Sequence, residues 1–112
     1  MENKEEKDNK NNKELLNKIN NKIELEKKNI KNIEYLHNEV VLLNRNVDGC
    51  IEILSKAMIG PTTSYVFEDM HNRNKTFFVK TTNDLDEQKS FSQKTINKLS
   101  EQKEELSKET KN

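Results

Sequence analysis

The chain has 112 residues and a mass of 13.2 kDa, which bounds it at one domain, and only 30% of its residues are apolar. Lys plus Arg and Asp plus Glu number 20 each, so the 36% of charged residues cancel to a net charge of zero. Leu, Ile, Val and Phe together make 27 residues, just above the range in which disorder is the default, which disfavours a compact enzyme with a deep pocket and favours a thin apolar stripe along something long.

Pro61 divides the chain into two balanced parts, with eleven basic and eleven acidic residues before it and nine of each after it. Neither part forms a single-sign field, so no nucleic-acid partner is expected. The 18 Lys against 2 Arg, with 17 Asn beside them, read as codon bias of an AT-rich genome. Cys50 is the single cysteine; it allows no intramolecular disulfide and no metal-ligand spacing, and it reads as a small apolar filler in a reducing compartment. Met1 to Lys13 is a polar tract without the apolar core of a signal peptide, and no run of 18 apolar residues follows. The expectation is a cytoplasmic chain, a nuclear pool allowed, with no membrane partner, no metal and no cofactor.

In chain order, residues 1–13 read as a disordered polar tail and residues 14–110 as a single domain. From Leu16 a heptad frame runs for six repeats. One position takes Leu16, Ile23, Ile30, His37, Asn44, Ile51 and Met58; the other takes Ile19, Glu26, Ile33, Val40, Val47 and Leu54. Ten of these thirteen are apolar, the mark of a long coiled-coil helix, expected over 14–59. Further apolar residues, among them Tyr35, Leu36, Val41, Leu42, Leu43 and Ile53, widen the stripe in its second half, which should meet more than one helix. His37 and Asn44 read as polar residues that set the register. Gly49 suggests a close helix approach or a mild bend. Ile59-Gly60-Pro61 should end the helix, with Gly60 as a left-handed cap.

The pattern after Pro61 shifts toward β-branched and aromatic residues. Residues 62–81 read as a β-hairpin whose strands hold Tyr65, Val66 and Phe67 on one side and Phe77, Phe78 and Val79 on the other, with a turn around Asn72 and Asn74. Such a hairpin is marginal alone and would need strands from other chains. Asp84 with Glu87 resembles a capping box that opens a second helix over 84–110, carrying Leu85, Ile96, Leu99 and Leu106. The fold class expected is mainly α: a long antiparallel coiled coil with a β-hairpin between its two helices.

Thr76-Phe77-Phe78-Val79-Lys80-Thr81-Thr82-Asn83-Asp84 resembles the second strand and helix start of β-type prefoldin subunits, and Tyr65 resembles the aromatic residue that begins their first strand. The layout of helix, hairpin and helix is similar over Leu15 to Thr110. The chain departs from the family in lacking a glycine in the hairpin turn, and Asn44 to Gly49 followed by Leu54 resembles divergent prefoldin-like subunits of RNA-polymerase and multiprotein assembly complexes. The resemblance implies an ATP-independent chaperone hexamer of α- and β-type subunits. Its hairpins would assemble into an intersubunit β-barrel through Tyr65, Val66, Phe67, Phe77, Phe78 and Val79. Its coiled-coil tips would bind unfolded clients of the actin and tubulin class and deliver them to a cytosolic chaperonin.

Folding the chain back about His71 leaves residues 14–29 without an intramolecular partner. Leu15, Leu16, Ile19 and Ile23, with Leu106, are the candidate client-binding residues; completion of a coiled coil with a neighbouring subunit is the equal alternative. His71 itself reads as solvated. A structural coiled-coil adaptor is the competing function, and an enzyme is not expected, because no phosphate loop and no His/Cys or His/acid pairing is present.

Overall fold

The computed structural model describes residues 4–58, 60 and 62–110, the side chains of 4–8 and 110 excepted. It consists of two α-helices, α1 (Lys4–Ala57) and α2 (Thr63–Thr110). Residues 58–62 connect them, a length typical of a helical hairpin. The chain divides into two compact units: a loop unit, Ile33–Gln88, and a terminal unit formed by Met1–Asn32 with Lys89–Asn112.

The β-hairpin expected over 62–81 is corrected: these residues lie in the first part of α2, apart from Thr62 in the turn before it. Without strands there is no hairpin to enter an intersubunit barrel. The physical reason is a conflict between composition and period. Val66, Phe67, Phe77, Phe78 and Val79 have high β-propensity, but that propensity is weak and depends on neighbouring strands. A helix pairs its backbone groups internally and needs none. It also spaces Phe67, His71, Asn74, Phe78, Thr81 and Leu85 at alternating steps of four and three, so that they form one face; all six are buried or half-buried. The β-branched threonines are accommodated by hydroxyls that donate back to the preceding turn, Thr76 to the Asn72 carbonyl at 2.9 Å and Thr82 to the Phe78 carbonyl at 2.9 Å.

The helix limits move accordingly. Lys4–Lys13 extend α1, where a disordered tail is expected: a helix already anchored further along gains one backbone hydrogen bond per residue as it propagates. Helix α1 ends at Ala57, and Ile59 and Pro61 lie outside the described residues. The last turn is closed by the Met58 amide donating to the Leu54 carbonyl at 3.0 Å. Gly60 has no positive φ, so the left-handed cap is corrected too. Instead its carbonyl accepts from the Thr63 amide at 3.3 Å and the Thr63 hydroxyl at 2.7 Å, tying the connection to the first turn of α2. Asp84 lies in the middle of α2 and caps nothing.

The α1 seam behaves as its heptads require. Ile19, Ile23 and Ile51 are buried and Leu16, Glu26, Ile30, Ile33, His37, Val40, Asn44 and Val47 are half-buried; Leu54 and Met58, at the end of the helix, are exposed. In the terminal unit Ile19, Ile23 and Ile96 form a buried cluster on which Ile30, Leu99 and Leu106 pack. The expected overhang of residues 14–29 is therefore corrected: the chain reverses at 58–62 and not at His71, which supplies this stretch with α2 as its partner. No described side chain is fully buried, so the core of each unit is thin.

Candidate interaction site

In the loop unit two polar ties bind α1 to α2. His71 Nδ1 and Asp48 Oδ1 are 3.0 Å apart, with the ring donating in the tautomer protonated at Nδ1. Asn74 Nδ2 donates to the same Asp48 oxygen at 2.8 Å and to the Asn44 carbonyl at 3.3 Å. The contact at Asn44 uses its backbone carbonyl and not its amide side chain, whose Oδ1 is buried without a hydrogen-bond partner, so the register tie here comes from Asn74 and Asp48. His71 is half-buried and bonded, which corrects the expectation of a solvated residue. Pairing 44 with 74 and 48 with 71 establishes that the two helices of this unit run antiparallel.

The antiparallel register organises the surface. With the repeat written abcdefg, Asn44 is an a residue of α1 and His71 an a residue of α2. In an antiparallel pair the e positions of both helices share one edge and the g positions share the other. On the e edge Val41, Asp48 and Ser55 of α1 and Thr82 of α2 are half-buried. The g edge is different. Leu36, Leu43 and Cys50 of α1 and Met70 and Phe77 of α2 are all exposed there, with Ile53 and Val66 on the adjoining c positions. An open, contiguous apolar edge of this kind is characteristic of a protein contact surface.

The residues expected to bind clients do not form one free stripe. Ile19 and Ile23 are buried in the terminal cluster, Leu16 is half-buried, Leu106 packs on that cluster, and Leu15 alone is exposed. The six expected assembly residues lie on different faces of α2. Phe67 is buried and Phe78 half-buried in the seam, whereas Tyr65, Val66, Phe77 and Val79 are exposed. Leu36, Leu43 and Ile53, which widen the α1 stripe in the sequence, supply one half of this edge; its α2 half, Met70 and Phe77, is masked there by the aromatic and β-branched composition of residues 62–81.

Other chemistry is sparse. A shallow notch of about 520 Å³ lies near the connection, lined by Ser55, Met58, Thr63, Phe67 and His71 among others. Among the described residues no three His, Cys, Asp or Glu side chains are grouped as metal ligands, and no helix is long and apolar enough to cross a membrane. Comparison with protein-family models, curated proteins and solved structures finds no match to this chain.

Proposed function

We propose that this chain is a non-catalytic coiled-coil adaptor of the cytoplasm, acting through helix-to-helix contact with other proteins. The observation that carries this reading is the g edge of the loop unit, where Leu36, Leu43, Met70 and Phe77 remain exposed beside a seam that is already closed. Side chains of this size gain by leaving water, at about 25 cal/mol per Å² of apolar area buried. The test compares the full chain with a variant carrying L36E and F77E, each immobilised in lysate of its source cells. A protein retained by the first and lost by the second supports the reading; identical retained sets overturn it.

A second reading, the prefoldin-type co-chaperone or a prefoldin-like assembly subunit, is favoured by the same exposed residues, since weak, many-point apolar contacts suit clients that must be released. Its partners would be other prefoldin subunits, unfolded proteins and a chaperonin, with assembly running through helices in place of strands. Suppression of the aggregation of a heat-denatured protein, followed by light scattering, should then be strong for the natural chain and weak for the L36E/F77E variant. No suppression by either chain excludes it.

A further inference from the structure

We propose that the g edge of the loop unit is occupied by a second copy of the same chain, forming a symmetric four-helix pair. The inference rests on the adaptor reading and deepens it: the first chain to meet this edge is another copy, and the symmetric pair is the unit that engages other proteins through the part left uncovered around Leu36. Beside the main seam, the c and g positions form a second heptad stripe on each helix. On α1 it carries Glu39, Leu43, Asn46, Cys50 and Ile53; on α2 it carries Val66, Met70, Arg73, Phe77 and Lys80.

The antiparallel register fixed by the 44–74 and 48–71 ties sets the heights of these residues. At matching heights Leu43 meets Phe77, Cys50 meets Met70 and Ile53 meets Val66, while Glu39 meets Lys80 and Asn46 meets Arg73. Apolar faces apolar, acid faces base, and the amide faces the guanidinium. The c positions point away from each other within one hairpin, so Glu39 and Lys80 cannot pair there. A two-fold axis along the helices lays α1 of one copy on α2 of the other at the same height and brings every one of these pairs together. The complementarity ends at Leu36, whose counterpart is Asp84.

Area and charge are consistent with such a pair. Leu43, Ile53, Val66, Met70 and Phe77 are 42–69% exposed, which leaves about 500–550 Å² per copy, or on the order of 1,000 Å² for the pair, the minimum for a specific interface. Zero net charge opposes no self-association.

Sedimentation of the full chain from ~1 to ~500 µM tests the proposal, with helicity followed by circular dichroism. The natural chain should pass from monomer to dimer. L43E/F77E should stay monomeric with unchanged helicity, since both residues are exposed. E39K or K80E alone should weaken the dimer about tenfold, because each change places two like-charge pairs in the interface, and E39K/K80E together should restore it. A monomer at every concentration, or a dimer indifferent to the charge exchange, overturns self-pairing. The adaptor reading fails separately, on identical retained sets in the lysate comparison.

Discussion

Asp48 accepts hydrogen bonds from both Asn74 and His71 on the opposite helix. The Asn74 bond first, then the His71 bond, hold its carboxyl below the ordinary value of 3.8, against a smaller opposing effect of desolvation. A carboxylate whose folded pKa lies below its unfolded pKa adds stability that is present above the unfolded value and lost as pH falls through the folded one. Thermal melting from pH 6 down to pH 2 (about the acid range of carboxylates) should show the natural chain losing stability below pH ~4. Asp48→Asn should melt lower than the natural chain at neutral pH and lose part of that acid dependence; an unchanged acid limb would remove Asp48 as its source. Next to it, Gly49 lies within α1 with nothing within 4 Å of where a Cβ would stand. The close approach its presence suggests is absent, and Gly49→Ala should raise stability by about 0.5–1 kcal/mol in urea unfolding.

At the scale of the elements, the question is whether residues 62–81 are helix or strand. Lys75 is exposed on α2 at a place where a hairpin turn would tolerate proline. In a helix interior proline removes a hydrogen bond and clashes with the preceding turn, at a cost of about 3 kcal/mol. Lys75→Pro should therefore lower the unfolding midpoint sharply and reduce the far-ultraviolet helical signal; a neutral effect would restore the hairpin. Helix α1 was legible because its apolar residues repeat at the helical period with little competing signal: Ile19, Ile23 and Ile51 are buried where the heptads place them. The start of α2 was not. Its seam is built of Phe67, His71, Asn74, Phe78 and Thr81, a set in which aromatic and β-branched residues outweigh aliphatic ones, so local composition masked the period. A hairpin over 62–81 would place the chain reversal near His71 and leave Ile19 and Ile23 without a partner; a helix from Thr63 places it at 58–62 and brings Ile96 onto them.

For the whole molecule, the sequence composition indicates too few apolar residues for a compact core; in the structure each unit has a narrow apolar seam, the loop unit carries an uncovered edge, and further large apolar residues such as Tyr35, Tyr65 and Phe91 are exposed elsewhere. Stability in such a chain depends on the few residues of those seams and on whatever covers the edge. If a second copy covers it, binding shifts the folding equilibrium by mass action. The melting temperature should rise with protein concentration across the micromolar range, whereas L43E/F77E should melt at one temperature throughout. A concentration-independent midpoint for both chains would contradict the coupling of folding to association.

The bonds from His71 and Asn74 to Asp48 and Asn44 also work as a ruler. A heptad seam repeats, and sliding one helix by seven residues would still oppose seam to seam. It would, however, leave Asp48 facing Ser64 or Phe78 in place of His71. One alignment is thereby distinguished from its neighbours without help from the connection at 58–62. Two synthetic peptides, 33–57 and 63–88, should accordingly find each other in a single antiparallel alignment, detectable by disulfide trapping between cysteines placed at matched heights. Replacing Asp48 and Asn74 with leucine should let them slip.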